Sequence, residues 1–288
     1  MSRSLTEDAL ARIARLELEA REAVEGFLTG QHRKYAAGDD IRRIDWKVLS
    51  KTDKVYVKQY EEETNLRTTL IVDASESMRF GGERLKDPKT GRTKFDQACR
   101  IAAAVAYLLL RQQDSVGAIV FDDGVRSRVP NRAAQTHLRT ILESLATEEA
   151  SAKTSISGVL GEAADGKTGR GLMVLVSDLF VDLSDLRQGL ERLRARGHEV
   201  IVFHVLDEAE LDFEFSGTTR FVGLEDGGEL TCDPRSLRNG YMQRLQQFLD
   251  DAAKTCRRTG ADYSLVKTGE RPSAPLAEFL ARRARVRR

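Results

Sequence analysis

Apolar and polar positions follow two different rhythms along this chain, and the change falls near Arg67. Before it, residues 4–28 carry Leu10, Ile13, Ala14, Leu16 and Ala20 near a 3.6-residue period among many charges, which predicts an amphipathic helix. The polar stretch TGQHRKYAAGDD follows, and KVYVKQYEEE then alternates at period two, as a half-buried strand does. From Arg67 the apolar runs become continuous. TTLIVD is apolar and β-branched, as expected for a strand buried on both faces. Residues 94–112 place Phe95, Ala98, Ala102, Val105 and Leu109 on one helical face, and the other face holds little that is polar, so this helix is largely buried.

SVGAIVFDD reads as a second strand, and the D-D-G before VRSRVP predicts a hairpin. Helices are predicted over 133–146 (Leu138, Ile141, Leu142, Leu145) and 155–165 (Ile156, Val159, Leu160, Ala163). Strand GLMVLVSD, helix 184–196 and strand EVIVFHVLD follow; 209–235 is less regular, with RFVGL as a short candidate strand. Helix 236–258, strand DYSLVK and helix 275–286 complete the chain. Strands alternating with helices predict an α/β fold, a doubly wound, mostly parallel, Rossmann-like sheet with helices on both faces. A small N-terminal helix and strand module, residues 1–66, is expected to precede a domain over 67–288.

Composition narrows the class. With 288 residues, 41% of them hydrophobic and 32% charged, the chain is expected to be a soluble globular protein, and its net charge of +1 gives no overall attraction to nucleic acid. The arginine-rich end FLARRARVRR reads either as a patch for a partner or as a solvated helix face with cations at its C-terminus. Three widely spaced cysteines, Cys99, Cys232 and Cys256, with no C-x-x-C, argue against a disulfide framework or a zinc site and suit a reducing cytosol. The N-terminus lacks the apolar segment of a secretory signal, and IAAAVAYLLL at 101–110 is too short to span a membrane. A cytoplasmic protein is expected.

Two stretches carry candidate chemistry. GEAADGKT at 161–168 matches the phosphate-loop pattern G-x-x-x-x-G-K-[ST]. Such a loop works by joining a strand to a helix whose N-terminus faces the phosphates. Here a helical pattern precedes Lys167 and a strand follows Gly171, so Gly166 reads as the residue that ends a helix.

The second stretch is LIVDASESM. Asp73 ends the first core strand and D-x-S-x-S begins there, while Asp178 ends a later strand of the same kind. Open parallel sheets bind ligands beyond the carboxyl ends of their strands, where strand order reverses. If the two strands are neighbours, both carboxylates meet over one spot with the Ser75 and Ser77 hydroxyls. That all-oxygen set suits a hard cation such as magnesium. The plainer reading of Asp followed by Ser is a cap or turn. A phosphatase of the haloacid-dehalogenase type needs a second Asp where this chain has Ser75. A serine hydrolase lacks its G-x-S-x-G.

DASES at 73–77 resembles the D-x-S-x-S of von Willebrand factor A (vWA) domains, whose metal-ion-dependent adhesion site binds a divalent cation. The resemblance implies a vWA sheet and a five-residue site, Asp73, Ser75, Ser77, Thr154 and Asp178, with S-D-L at the last position in place of the usual T-D-G. Upstream, GDDIRRIDWK at 38–47 and VKQYEEETN at 57–65 resemble the domain-of-unknown-function-58 family, whose members are associated with MoxR-type AAA+ ATPases. The stretch between Gly30 and Tyr35 is shorter than the family pattern, which implies a trimmed N-terminal module. GDDIRRIDWK itself reads either as structure, with Ile44 and Trp46 packed on the sheet and Arg42 and Arg43 neutralising Asp39 and Asp45, or as a docking surface.

What the resemblance implies is a non-enzymatic interaction module. A divalent cation (Mg2+, or Mn2+ or Ca2+) would keep one position open for an acidic residue of a partner or client. A MoxR-type AAA+ ATPase would be the associated machine, in maturing or remodelling a protein complex. The alternative is a vWA-like scaffold with no functional metal.

Overall fold

Runs of β-branched residues become strands and 3.6-periodic runs become helices in the computed structural model, which describes residues 6–30, 33–34, 56–57, 66–81, 92–122, 124–146, 156–165, 169–215, 217–223 and 228–277. In chain order the elements are α1 (Glu7–Gly30), β1 (Arg33–Lys34), β2 (Tyr56–Val57), β3 (Arg67–Asp73), α2 (Lys94–Arg111), β4 (Ser115–Phe121), β5 (Val125–Arg132), α3 (His137–Ala146) and α4 (Ile156–Asp165). Then come β6 (Leu172–Ser177), α5 (Leu183–Ala195), β7 (Glu199–Leu206), α6 (Glu208–Asp212), β8 (Thr219–Val222), β9 (Glu229–Cys232), α7 (Pro234–Thr259) and β10 (Asp262–Lys267).

Six strands form one sheet in the order β10-β7-β6-β3-β4-β5. Every neighbouring pair is parallel except β4 with β5, the hairpin expected after D-D-G. Pro130 lies in β5, an edge strand, where a missing N–H is tolerated. Residues alternate between the two faces. Leu70, Val72, Val174, Val176, Phe203 and Val205 join one core with α1, α2 and α3. Ile71, Leu175, Val200 and Val202 join the other with α4, α5 and α7. The fold is therefore α/β, a doubly wound, mostly parallel Rossmann-like sheet with helices on both faces.

Helix α2 starts at a capping box, in which Thr93 Oγ1 accepts from Asp96 N–H (3.0 Å) and the Asp96 carboxylate accepts from Thr93 N–H (3.1 Å). It is buried almost all round because α1 also packs on it, through Ile13, Leu16, Ala20 and Val24. Large aliphatic side chains buried in this way contribute about 1.5–3 kcal/mol each. Arg12 pairs with Asp96 (3.3 Å) and Arg100 with Glu19 (2.8 Å) along the same seam. The expected stripe of α1 is off by a step at two positions: Leu10 is 42% exposed and Ala14 also faces out.

Strand β3 lies at the centre. The chain leaves it through α2 to β4 on one side, and β6 then adds on the other. Strand order thus reverses between β3 and β6, and the carboxyl ends of those two strands open together.

The stretch 209–235 holds more structure than its sequence pattern suggests: β8 pairs with β9, and α6 precedes them. Tyr56–Val57, from the strand expected at KVYVKQYEEE, pairs with Arg33–Lys34. Residues 273–277 are helical. GDDIRRIDWK, residues 58–65 and the arginine-rich end lie outside the described residues. The three cysteines are free. Among the described residues no helix is long and apolar enough to cross a membrane.

Candidate functional site

Asp73 is the last residue of β3 and is buried. The chain after it is pinned to β4 by Ala74 N–H donating to Phe121 C=O (2.7 Å). It then doubles back, with Ser75 N–H donating to Asp73 Oδ1 (2.9 Å), the local bond that makes Asp a turn residue. A single 3-10 turn, Glu76–Arg79, follows and is anchored by buried Met78. This folding brings the Ser75 and Ser77 hydroxyls to 3.1 Å from one another. The turn reading of DASES holds, and the turn also gathers the oxygens.

Strand β6 supplies the other half. Ser177 Oγ donates to Asp73 Oδ2 (2.5 Å) and accepts from Leu179 N–H (3.0 Å). Asp178 is buried beside it. Leu179 adopts a left-handed backbone (φ 55°), a conformation that costs a residue with a Cβ about 1–2 kcal/mol. Just beyond it Phe180 N–H returns to Asp178 Oδ1 (3.2 Å). Such strain is typical of places where a side chain must be aimed.

The Asp73 carboxyl is pushed up from 3.8 to about 7, first by burial and then by the Asp178 charge, while the bonds from Ser177 and Ser75 pull the other way. Two carboxylates therefore converge at the switch point, as the sequence led us to expect. Thr154 lies outside the described residues.

Three groups were not anticipated. Lys94, the first residue of α2, is wholly buried, and its ammonium lies 2.8 Å from Asp178 Oδ2 and 2.8 Å from Glu210 Oε1 of α6. It also stands 4.5 Å from the centre of the Phe180 ring, a cation–π contact. Burial alone pushes the Lys94 ammonium down, but the Asp178 and Glu210 charges outweigh it and the net shift is upward. Burial likewise raises Glu210, against the pull of Lys94. Ser177 is the second. His204 is the third: it pairs in register with Ser177, and burial lowers it to about 4, so the ring is neutral. Its Nδ1 faces the Tyr263 hydroxyl at 2.8 Å.

These donors fit a hard divalent cation. Among the described residues no group of three or more His, Cys, Asp or Glu side chains is arranged to hold a metal, and the oxygens gathered here belong to two carboxyls and two hydroxyls. The Asp73 carboxyl accepts from Ser75 and Ser177, and the like charge of Asp178 beside it favours either a proton or a counter-charge there. Asp73, Ser75, Ser77 and Asp178 would hold the ion.

GEAADGKT has the opposite setting. Its first five residues are the end of α4, and the next regular element among the described residues is β6, beginning at Leu172, so a helix runs into the motif and a strand follows it. Asp165 in the motif pairs with Arg192 of α5 and, at 2.8 Å, with Arg196 just beyond that helix.

The chain is similar to the uncharacterized proteins Mb1516 of Mycobacterium bovis and Rv1480 of Mycobacterium tuberculosis, each 30% identical over 295 residues, covering 96% of this chain and 90% of theirs. Among solved structures it is similar to BatB from Bacteroides thetaiotaomicron (16% identity, 76% of this chain, 99% of that one, TM-score 0.46). It is also similar to the SpRpn10 VWA domain (13% identity, 75% of this chain, 95% of that one, TM-score 0.40). A family model, "Protein of unknown function DUF58", matches residues 31–248, and on that match the chain belongs to the DUF58 family.

Proposed function

We propose that this chain is a non-enzymatic protein-interaction module whose contact with a partner depends on a divalent cation, magnesium in the first instance, at Asp73, Ser75, Ser77, Thr154 and Asp178. The observation that carries the reading is the convergence of Asp73 and Asp178 at the β3–β6 reversal, with the paired Ser75 and Ser77 hydroxyls beside them. A bound cation would supply a Lewis-acidic position for a carboxylate from the partner. This chain's own residues aim the donors: Ser75 N–H and Ser177 Oγ fix Asp73, and Phe180 N–H fixes Asp178. Resemblance supplies the rest of the proposal, a MoxR-type AAA+ ATPase as the associated machine and an adaptor role in maturing or remodelling a client complex.

A second reading is favoured by one observation. The Lys94 ammonium already rests on Asp178, so the site carries a cation of its own and could serve a scaffold that takes no metal. Isothermal titration with magnesium, on the wild type and Asp73→Ala, with ATP as control, separates the two. Magnesium binding lost in the variant supports the interaction module. Absence of magnesium binding in the wild type favours the scaffold. ATP binding that depends on Lys167 would overturn both.

A further inference from the structure

Lys94 is out of place by every local rule. It stands at the first position of α2, where the helix dipole disfavours a positive charge. It is fully buried, where an ammonium loses its hydration. An apolar side chain would serve α2 better, since the next turns bury Phe95, Ala98 and Cys99. What retains the lysine is the pair of carboxylates it bridges, Asp178 on the β6 end and Glu210 on α6, with Phe180 under the ammonium. One of these anchors belongs to the proposed cation site and the other does not.

We propose that Lys94 is a positioning residue that sets the cation affinity of the site by competing for Asp178, with Glu210 as the second anchor that keeps the ammonium in place when Asp178 is shared. This rests on the reading above, in which Asp178 is a cation ligand. The chemistry is that of two cations and one carboxylate. Asp178 Oδ1 is engaged by Phe180 N–H and Oδ2 by Lys94, so any divalent ion at Asp178 has a like charge one carboxylate away. Like charges at such separations weaken one another's binding strongly in a buried site. Glu210 is itself held by α6: its other oxygen, Oε2, caps that helix by accepting from Asp207 N–H (2.8 Å). The second anchor of Lys94 is therefore tied to the start of α6.

The test is magnesium titration of the full chain, by calorimetry, on four proteins: wild type, Lys94→Met, Lys94→Met/Glu210→Gln and Asp73→Ala. Lys94→Met removes the competitor. The double variant removes one positive and one negative charge together, so the net charge of the site is unchanged and Glu210 is not left as a buried carboxylate without its ammonium, while Asp178 loses Lys94 in both variants. Both variants are expected to bind magnesium at least about tenfold more tightly than the wild type. A wild type that binds no magnesium beside a double variant that does would support the competition at Asp178 and would favour the scaffold for the wild-type chain, with Lys94 as the cation that fills the site. If the wild type binds and the folded double variant binds no more tightly, Lys94 is merely structural and the proposal fails while the cation site stands. If neither binds, the cation site falls and this proposal falls with it. Should Lys94→Met alone not fold, the double variant decides.

Discussion

DASES at 73–77 and GEAADGKT at 161–168 are both short patterns with a known chemistry, and the fold treats them in opposite ways. DASES begins at the carboxyl end of a central strand, at the reversal of strand order, where buried Asp73 and Ser75 and half-buried Ser77 lie beside the end of a neighbouring strand. GEAADGKT starts inside a helix and leads into a strand, and its Asp165 is exposed in an ion pair with α5. The first pattern is matched by its surroundings and the second is not. Phosphate binding needs backbone N–H groups at a helix start, and GEAADGKT begins in the last turns of one. A pattern match becomes chemistry only where the topology aims the right atoms at one point.

The largest effects are expected within the DASES site, where its two carboxylates should part company. Asp178→Ala leaves Lys94 buried with only Glu210 as a partner, and breaking such a buried pair costs roughly 3 kcal/mol. For a chain of this size that is a fall in Tm of about 6–10 °C. Asp73→Ala relieves a carboxyl already disfavoured by burial and by Asp178, so its Tm should change by little. Magnesium binding should be lost in both. Thermal denaturation beside calorimetry checks this, and equal Tm values for the two variants would show that Lys94 does not depend on Asp178.

The next effect is in pH. Asp73 titrates near 7 in the folded state against 3.8 when unperturbed, because burial and then the Asp178 charge oppose its ionisation. Below pH 3.8 both states hold the proton and Asp73 contributes nothing. Between there and pH 7 only the unfolded state gives it up, so stability falls as pH rises through this window and the loss is complete above it. Without divalent ions the Tm should drop over that range by an amount comparable with the Asp178→Ala effect, and Asp73→Asn should remove the slope. Magnesium should raise the wild-type Tm more at pH 8 than at pH 5. A flat pH profile for the wild type would mean that neither burial nor Asp178 opposes the ionisation of Asp73.

How much of this was legible varies with the kind of signal. TTLIVD and LMVLVS could be read because a strand buried on both faces has nowhere to place a polar residue. Asp73 and Asp178 could be read as partners because each ends such a strand. Lys94 could not, since a lysine in RTKFDQ looks like any solvated residue at a helix start, and its anchor Glu210 lies 116 residues away in an acidic stretch. The docking of α1 on α2 was hidden for a related reason. A 3.6-residue period reveals that a face is apolar and not what covers it, which is also why Leu10 was misplaced in the stripe. Residues 208–212 and 229–232 are too short to carry a period at all. Ser177 was read only as the tail of its strand, although S-D at a strand end places a hydroxyl beside the carboxylate.

The smallest effect is expected in GEAADGKT, and its smallness is the point. A nucleotide loop could not spare its lysine or the first of its glycines. Lys167→Ala should leave magnesium and partner binding unchanged. Gly161 occupies an ordinary helical position in α4, so an alanine there should gain up to about 1 kcal/mol of helix propensity. Against that, the new Cβ would meet Arg192 Nη1 at 2.6 Å. This atom is the far end of a flexible side chain, and the pair it makes with Asp165 is exposed and worth at most about 1 kcal/mol. The two terms nearly cancel, so Gly161→Ala should shift the Tm by no more than about 2 °C in either direction. A large fall in Tm would mean that α4 packs more tightly on α5 than an arginine tip allows. A large fall in any binding assay, with Tm unchanged, would return the phosphate-loop reading to the front and undo the contrast between the two motifs.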